Sequence, residues 1–433
     1  MSLVQKIKKI KHFAFAHLAN ILYGRPARDM TIIGVTGTNG KTTTATLIHH
    51  ILTQAGYKAG LISTLNFKIG DSEFDNLDKM TALPSFPFQN WLARMKGAKC
   101  QYVVMEVTSH ALDQFRMLGV PVDIAIFTNL THDHLDYHKT MENYKNAKLK
   151  LFKTLKKSYR KPGVNKIAII NSDDQYAEDF WKSSNADIKM AYGLGRKKAQ
   201  EQITAKKITY LSHKTRFTAE TPYGETEISI PMIGKFNVYN TLAAISATTS
   251  QNIPLDKIKS AIESFPQVPG RMENVENNLG IGIIVDFAHT PDALKKVYET
   301  LKPLTHGKTI VVYGATGERD KTKRPIMGAI ATQYADTIVV TNDDPYHENQ
   351  DEIADAIIEG INKGNRNMKF ETDENLFKIL DRKEAILKGL SLAKKGDSVI
   401  ITGKGGEKVM AIGDKKIPWS DRGIVEEWIK GKR

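Results

Sequence analysis

With 433 residues, a hydrophobic fraction of 41% and a charged fraction of 25%, the chain is typical of a globular protein with two or three domains. Its one cysteine, Cys100, excludes an internal disulfide framework and suits a reducing cytosol, and no apolar run reaches the ~20 residues that a membrane span needs. The net charge of +14 indicates an anionic partner, but the basic residues are spread along the chain rather than grouped with aromatic residues, which argues against nucleic acid.

The first 28 residues are a basic segment with six lysines and arginines and no acidic residue. Apolar residues recur there at helical spacing, which predicts an amphipathic helix; they are Leu3, Val4, Ile7, Ile10, Ala14, Leu18, Ile21 and Leu22. Such a stripe either docks on the next domain or lies on an anionic membrane surface. We therefore treat residues 1–29 as a separate N-terminal segment.

From Met30 onwards the pattern alternates between strands and helices. "MTIIGV" predicts a buried strand, and "KTTTATLIHHILTQAG" predicts a helix that ends at Gly56. "YKAGLIST", "CQYVVMEV", "VDIAIFTNL" and "KIAIIN" predict further buried strands, so we expect a mostly parallel sheet with both faces covered. Residues 200–231 alternate between apolar and polar side chains, which predicts antiparallel strands with a turn at Tyr223-Gly224.

Proline and glycine accumulate in "FPQVPGRMENV", which places a domain boundary near residue 268. Four later strands each lead into a loop of Asp, Gly, Thr or His: "IGIIVDFAHTPDAL", "TIVVYGATGERD", "DTIVVTNDDP" and "DSVIITGKGGE". Open α/β sheets bind ligands at the carboxyl ends of their strands, so we expect these loops to converge on a site. The predicted fold class is α/β, with a central domain over 30–268 and a Rossmann-like C-terminal domain over 269–433.

The segment "GTNGKTT", residues 37–43, has the properties of a phosphate-binding loop, although Val35 stands where the usual Walker pattern has its first glycine. Gly37 and Gly40 permit tight turns whose amides point at phosphate oxygens, and the N-terminus of the following helix favours negative charge. Lys41 can reach the β- and γ-phosphates, and a threonine hydroxyl can hold Mg²⁺. The loop is predicted to bind a nucleotide.

Two later segments supply candidate metal ligands. Glu106 ends a buried strand, where a carboxylate is costly unless it is paired or binds a metal, and Mg²⁺ prefers oxygen ligands beside phosphates. "NLTHDHLDYH" holds five candidates in seven positions: His132, Asp133, His134, Asp136 and His138. A His-x-His pair with nearby Asp also suits zinc, but no second His/Cys cluster completes such a site. We favour one histidine that serves the magnesium of the nucleotide.

The chain resembles the Mur ligases from about residue 31 to about residue 425. The segments that carry the resemblance stand in family order: "GTNGKTTT", "EVTSH", "TNLTHDHLDYH", "MENYKNAK", "GKFNVYN", "PGRME", "DFAHTPDAL", "GERDKTKRP" and "WSDR". They are most similar to those of the tripeptide synthetases, which add the third residue to UDP-N-acetylmuramoyl-dipeptide. The resemblance implies an ADP-forming ligase of peptidoglycan synthesis: ATP phosphorylates a carboxylate, and an amine attacks the acyl phosphate.

The resemblance also implies roles for individual residues. ATP contacts are assigned to Gly37, Thr38, Asn39, Gly40, Lys41, Thr42, Thr43, Asn237, Arg271, Asp286, Asp320, Lys321 and Arg324. Metal ligands are assigned to Thr42, Glu106, His134 and Lys148, the last after carbamylation by CO₂. Catalysis is assigned to Lys41, Glu106, His134, Lys148 and His289, and substrate contacts to Thr81, Thr108, Ser109, Asp343, Tyr346, Gly403 and Glu407.

Three features depart from the family pattern. About thirty residues precede the loop where the family carries a much longer uridine-binding domain, so we expect that domain to be absent. The usual "TTP" reads "TAL", with Ala82 and Leu83 after Thr81. "DNPR" becomes "DDPY" and "GKGHE" becomes "GKGGE"; Tyr346 thus replaces the arginine that clamps the distal carboxylate of diaminopimelate. This favours lysine or a similar diamine, unless another basic residue such as Lys404 takes the place of that arginine.

Two alternatives stay open: another Mur-type ligase, such as a poly-γ-glutamate or folylpolyglutamate synthetase, and a non-catalytic nucleotide-binding partner subunit. The retention of Lys41, Glu106, His134, Lys148 and His289 argues against the second. We expect ATP and Mg²⁺ as cofactors and a muramoyl-peptide precursor and an amino acid as substrates. We also expect a cytoplasmic monomer without a nucleic-acid partner, in contact with the membrane through residues 1–28.

Overall fold

A computed structural model describes residues 3–77, 80–195, 202–211, 213–364 and 369–432, without the side chains of residues 3–10 and of Asp136. The chain divides into two compact units. The first comprises Met1–Tyr210 and Lys214–Phe265, and the second comprises Leu211–His213 and Pro266–Arg433. Within the described residues, no helix is both long enough and apolar enough to cross a membrane.

The first unit contains one large sheet and the helices around it. The helices are α1 (Leu3–Leu22), α2 (Lys41–Gln54), α3 (Ser85–Gly97), α4 (Ser109–Asp113), α5 (Leu135–His138), α6 (Met141–Lys153), α7 (Ala177–Ser183), α8 (Lys235–Thr249) and α9 (Leu255–Glu263), with a 3-10 turn at Pro26–Asp29. The strands are β1 (Thr31–Thr36), β2 (Ala59–Ile62), β3 (Asn66–Ile69), β4 (Ser72–Asp75), β5 (Tyr102–Glu106), β6 (Ile124–Phe127), β7 (Ile167–Asn171), β8 (Ile188–Gly193), β9 (Gln202–Tyr210), β10 (Thr215–Thr221) and β11 (Gly224–Ile230).

The strand order in this sheet is β11-β10-β9-β8-β7-β6-β1-β5-β2-β3-β4. The seven strands from β9 to β2 in this order run parallel, and the strands beyond them at each end are antiparallel. The alternating segment therefore extends the parallel sheet, and its turn lies where Thr221 pairs with Gly224. Helices α3 and α6 cover one face, and α2 and α8 pack together over the other. Because helices cover both faces, the carboxyl ends of the parallel strands, beside the start of α2, are the place for a site.

A buried ionic cluster lies at the opposite edge of this sheet. Asp123 is fully buried just before β6, and its carboxylate accepts hydrogen bonds from the ammonium of Lys166 (2.9 Å), from the ammonium of Lys161 and from the backbone amide of Ile32 (2.8 Å). Both lysines also donate to backbone carbonyls. Two buried ammonium groups thus share one carboxylate. The cluster links the start of β6 to β1 and to the residues before β7.

Asp123→Ala is expected to lower the free energy of unfolding by about 3–5 kcal/mol, because it leaves two buried ammonium groups without a counter-charge. Urea denaturation followed by circular dichroism measures the loss. Glu178→Ala is the control: it breaks an exposed pair with Lys182 (3.0 Å) and should cost less than about 1 kcal/mol. Equal losses of unfolding free energy in the two variants would contradict the expectation that burial makes the Asp123 cluster the more important one for stability.

The second unit contains a six-stranded sheet and a hairpin. Its helices are α10 (Pro291–Leu301), α11 (Lys323–Tyr334), α12 (Gln350–Lys363), α13 (Arg382–Leu392) and α14 (Asp421–Lys430), with a 3-10 turn at Lys302–Leu304. Its strands are β12 (Glu273–Asn274), β13 (Gly282–Asp286), β14 (Thr309–Tyr313), β15 (Thr337–Val340), β16 (Leu376–Lys378), β17 (Ser398–Thr402), β18 (Val409–Ile412) and β19 (Lys415–Pro418).

The order of the six-stranded sheet is β12-β13-β17-β14-β15-β16, and β18 pairs with β19 separately. Strands β13, β17, β14 and β15 are parallel neighbours, and they are the four strands whose loops were expected to converge. Their carboxyl ends therefore lie at one edge of the sheet, as the sequence predicted.

Candidate active site

The loop between β1 and α2 is closed by a second loop that follows β6. Gly37 has φ +154°, and a β-carbon there would lie 1.9 Å from Oγ1 of Thr128. The amide of Thr38 donates to the carbonyl of Asn129 (2.8 Å), and the amide of Asn39 donates to Oδ1 of the same residue (2.9 Å). This close approach is possible only with glycine at position 37. Asn129, which the sequence reading did not single out, holds the turn.

Gly37→Ala is expected to weaken ATP binding by about tenfold or more, because the added methyl group separates the two loops or distorts the cradle. Isothermal titration calorimetry with ATP measures the change. Gly97→Ala is the matched control, since a β-carbon at Gly97 meets nothing within 4 Å and the residue lies in a helix. Unchanged affinity in Gly37→Ala would contradict the proposed cradle.

Two lysines converge on the carbonyl oxygen of Gly37. Nζ of Lys41 lies 3.0 Å from it and 2.7 Å from the carbonyl of Thr38, and Nζ of Lys148 lies 2.8 Å from it. Lys148 is fully buried, and this burial, with the charge of Lys41, holds its pKa well below the usual range. An uncharged amine at this position is a nucleophile, whereas an ammonium would repel Lys41.

Glu106 ends β5 next to the loop, in register with Val35 of β1. Its carboxylate accepts hydrogen bonds from the amide of Thr64 (2.7 Å) and from the hydroxyl of Thr64 (3.1 Å). The hydroxyl of Thr64 also lies 2.7 Å from that of Thr81. Thr64, which the sequence reading missed, connects a metal candidate with a substrate candidate. Its position two residues after the run "YKAGLI", just past the end of β2, was the signal that could have found it.

Three histidines lie together beside the loop. His134 directly precedes α5 with φ +55°, and its ring meets that of His110 edge-on at 4.9 Å. Burial lowers the pKa of His134 to about 4 against the opposing effect of Asp133, and His110, Lys148 and Lys41 lower it further. The imidazole is therefore neutral at neutral pH and can donate its lone pair to a metal.

The third histidine, His138, supports the substrate candidates of α4. Its Nε2 lies 2.9 Å from the hydroxyl of the buried Ser109. Thr108 caps the same helix by accepting a hydrogen bond from the amide of Ala111 (3.1 Å). Both candidate side chains thus serve local structure, and they set the position of the loop that follows Glu106.

The remaining candidates of the first unit lie at helix starts. Thr42 and Thr43 are buried in the first turn of α2, one turn from Gly40, which has φ +84°. Asn237 is buried at the start of α8, where its amide donates to the carbonyl of Ile233 (2.9 Å) and its oxygen accepts from Asn240 (3.0 Å). Asn237 therefore shapes the start of α8 in addition to its expected adenine contact.

In the second unit, the loops after β13 and β17 are joined. Asp286 is buried and accepts hydrogen bonds from the amides of Met272 (2.6 Å) and Ala288 (2.7 Å), and burial raises its pKa against the opposing effect of Arg271. The amide of Gly403 donates to the carbonyl of Asp286 (3.1 Å). The carboxylate thus fixes the backbone on both sides of β13.

The candidate residues Arg271 and His289 lie next to this turn. The guanidinium of Arg271 stacks over the ring of Phe287 at 4.2 Å. Nδ1 of His289 lies 2.8 Å from the carbonyl of Phe287, and the carbonyl of His289 accepts a hydrogen bond from Lys323 (2.9 Å). Arg271 and His289 therefore both contact Phe287.

The segment "GERDKTKRP" carries a charged cluster of its own. Arg324 is buried and makes two 2.8 Å hydrogen bonds to the carboxylate of Glu348, and Lys321 adds a third at 2.7 Å. These partners hold the pKa of Glu348 far below its usual range. Asp320 accepts from the amide (2.9 Å) and hydroxyl (2.6 Å) of Thr322 and so caps the turn before α11. Glu348 was not among the predicted residues.

The loops after β15 and β17 are joined by Lys404. Its ammonium is fully buried and binds the carboxylates of Asp344 (2.8 Å) and Glu407 (2.5 Å). Asp343 is also buried, and burial raises its pKa, with Lys404 opposing the shift. Lys404 and Asp344 were missed as a pair, because only the fold shows that one neutralises the other.

Tyr346 and Gly403 complete this group. Tyr346 is half-buried with φ +50°, and its carbonyl accepts a hydrogen bond from the amide of Gly413 (2.8 Å). Burial raises the pKa of its phenol, and the nearby Arg319 opposes the shift. A β-carbon at Gly403 would lie 2.8 Å from Oδ2 of Asp343, so glycine is needed where the two loops meet.

The substitution in "GKGGE" also has a local reason. A β-carbon at Gly406 would lie 2.5 Å from the carbonyl of Pro269, so a larger residue requires the segment around Pro269 to move. A β-carbon at Gly270 would in turn meet the amide of Gly406 at 1.7 Å. Glycines on both segments allow this approach.

Comparison with known proteins identifies relatives of both units. The family of the Mur ligase middle domain matches residues 35–248, and that of the Mur ligase glutamate ligase domain matches residues 270–405. A Bacillus cereus protein named UDP-N-acetylmuramoyl-L-alanyl-D-glutamate--2,6-diaminopimelate ligase is 41% identical over 97% of this chain and 82% of its own length. A Clostridium acetobutylicum protein of that name, numbered 1, is 39% identical over 96% of this chain and 82% of its own.

Solved structures agree in fold. A diaminopimelate ligase of that name is 29% identical, with a TM-score of 0.64 over 93% of this chain and 79% of its own. Mycobacterium tuberculosis folylpolyglutamate synthase complexed with ADP has a TM-score of 0.74 over 96% of this chain and 94% of its own, at 16% identity, which shows the fold alone. The predicted α/β class and the resemblance are thus confirmed, and the chain belongs to the Mur ligase family.

Proposed function

We propose that the chain is an ATP-dependent, ADP-forming ligase that joins an amino acid to a muramoyl-peptide precursor in peptidoglycan synthesis. The observation that carries the proposal is the convergence of Lys41 and the buried Lys148 on the carbonyl of Gly37. A phosphate-binding loop that only held a nucleotide would have no use for a second, buried lysine at this point. The names of the relatives supply the class of precursor.

The residues of the first unit have distinct tasks in this reaction. The amides at the start of α2 and the ammonium of Lys41 bind the phosphates of ATP and neutralise the charge that develops as the γ-phosphoryl group moves to the substrate carboxylate. Glu106 and Thr64 orient Thr81 beside this loop, where the carboxylate of the precursor must lie. The acyl phosphate is then attacked by the amino group of the second substrate.

The donor set fits magnesium after one modification. The carboxylate of Glu106, the hydroxyl of Thr42 and the neutral imidazole of His134 suit a divalent cation, whereas an ammonium does not. We propose that Lys148 reacts as the free amine with CO₂; its nitrogen forms the C–N bond and releases a proton, and the carbamate supplies oxygen ligands. Bound magnesium would neutralise negative charge on the transferred phosphoryl group.

The second unit is proposed to bind the amino acid at Asp343, Tyr346, Gly403 and Glu407. An arginine that clamps a distal carboxylate is missing from "DDPY", and Lys404 cannot replace it because two carboxylates already neutralise this ammonium. One ammonium balances only one of its two carboxylates, so Asp344 and Glu407 together keep a net negative charge for a side-chain amine. We therefore propose that lysine or a similar diamine is preferred over meso-diaminopimelate, although the relatives carry the diaminopimelate name.

ADP release measured over a matrix of acceptors and amino acids tests the function. The expected result is release that requires both a muramoyl-dipeptide acceptor and a diamino acid, with the amide product seen by mass spectrometry. Release with a folate or poly-γ-glutamate acceptor in place of the muramoyl-peptide would assign the chain to another Mur-type ligase. Nucleotide binding without turnover on any acceptor would favour the partner-subunit alternative. Analytical ultracentrifugation of the same protein tests the proposed monomeric state.

A further inference from the structure

Helix α1 packs on the first unit through its small side chains. Ala16, Ala19 and Asn20 are buried, and α1 contacts α3. Alanines allow the two helices to approach closely. A β-carbon at Gly119 would meet the side-chain nitrogen Nδ2 of Asn20 at 2.2 Å. The loop that contains Gly119 therefore also approaches the buried face of α1.

The structure describes only part of the apolar stripe predicted from the sequence, because the side chains of Leu3, Val4, Ile7 and Ile10 lie outside the described residues. Leu18, Ile21 and Leu22 are 47%, 46% and 65% exposed. Phe13 and Phe15 flank them and are 48% and 44% exposed, although each meets one aromatic ring of the unit edge-on. The helix thus presents an uncovered row of large apolar side chains.

Positive charge accompanies this row. Residues 1–28 contain six lysines and arginines and no acid. Lys11 is exposed, and its ammonium lies 5.4 Å from the centre of the Phe15 ring. A cation next to an exposed aromatic ring at the edge of an apolar row is the arrangement that suits the interface between lipid tails and headgroups.

We propose that this row, Phe13, Phe15, Leu18, Ile21 and Leu22, is a docking surface for an anionic lipid bilayer on which α1 lies in the plane of the interface. The side chains enter the headgroup region, and the basic residues pair with lipid phosphates. A second copy of the chain is a poorer occupant, because a symmetric contact through α1 would oppose two sets of four lysines without an acidic residue between them. This docking surface would bring the enzyme to the membrane without taking part in the catalytic reaction.

A label at one exposed position tests the geometry. Cys100 is buried, so an environment-sensitive fluorophore can be attached selectively to Leu18→Cys or, as a control in the first unit, to Tyr223→Cys, whose side chain is 63% exposed. With vesicles that contain phosphatidylglycerol, the label at position 18 should shift to the blue and brighten, and the label at position 223 should not. No shift at 18, or equal shifts at both positions, would overturn the proposal.

Vesicle sedimentation separates the apolar and the ionic contributions. The triple variant Leu18→Ser, Ile21→Ser, Leu22→Ser should lower the bound fraction by roughly tenfold or more, and binding of the unmodified chain should fall as NaCl rises from about 0.1 M to about 0.5 M. Because the three side chains are exposed, ADP release with a soluble acceptor should be unchanged. Equal binding to phosphatidylcholine alone, or a dimer that the triple variant abolishes without any vesicle binding, would overturn the proposal.

Discussion

Lys148→Ala is expected to lower kcat by about a hundredfold or more, the largest effect of any single substitution proposed for this chain. The substitution removes the amine that lies 2.8 Å from the Gly37 carbonyl and, with it, the carbamate proposed to hold the metal beside the phosphates. Steady-state ADP release at saturating substrates measures the loss. Because the lysine is buried, its removal leaves a cavity that costs about 2–5 kcal/mol, so kcat is measured where circular dichroism shows the variant to be folded.

Lys145→Ala is the matched control on the same helix. Lys145 lies one turn earlier on α6 and binds Glu142 and Asp179 at the surface, so its loss should change kcat by less than about twofold. Removal of dissolved CO₂ should lower the activity of the wild type, and bicarbonate should restore it, but neither treatment should affect Lys148→Ala. Full activity of the Lys148→Ala variant would rule out the carbamate.

The wild type is expected to use L-lysine with a kcat/KM at least about tenfold higher than that for meso-diaminopimelate. Loss of the charged partner weakens the binding of a desolvated carboxylate by on the order of 2–5 kcal/mol. Tyr346 offers one phenolic donor and no charge in place of that partner. Tyr346→Arg should shift the ratio towards diaminopimelate by about tenfold or more, because a guanidinium can bind the distal carboxylate with two hydrogen bonds. Kinetics with both amino acids and the same acceptor measure the ratio.

Two variants control this prediction. Tyr223→Arg adds the same group on the exposed hairpin of the first unit and should leave the ratio unchanged. Arg319 is the cation that already opposes the pKa shift of Tyr346. A wild-type preference for diaminopimelate that disappears in Arg319→Ala would contradict the prediction and assign the carboxylate clamp to Arg319.

The strands of the parallel sheets were predictable from the sequence because they are buried on both faces. The strands within "VDIAIFTNL" and "DSVIITGKGGE" have apolar centres, and polar residues follow where each strand ends. The loop "GTNGKTT" was equally plain, since its glycines and its Lys-Thr-Thr helix start are local features. The four C-terminal loops could be placed at one edge because parallel strands share their direction.

The partners of these residues were not predictable. Asn129, Thr64, Glu348 and Lys404 act through neighbours that are distant in the chain, such as the 90 residues between Asn39 and Asn129. The sequence left the orientation of α1 open between the next domain and a membrane surface, because periodicity reports that one face is apolar but not which face meets the protein. Close packing against α3 favoured the small residues Ala16 and Ala19 over the larger apolar ones.

The sequence by itself determined the α/β class, the Mur ligase family and the chemical types at the site, because strand burial, loop glycines and motif order are local properties. Only the tertiary structure decided the charge states and pairings. Burial and the charge of Lys41 lower the pKa of Lys148, and two carboxylates neutralise Lys404 and remove it as a carboxylate clamp. Both outcomes depend on which groups the folded chain brings within a few ångströms and removes from water, and this is a property of the fold and not of any segment.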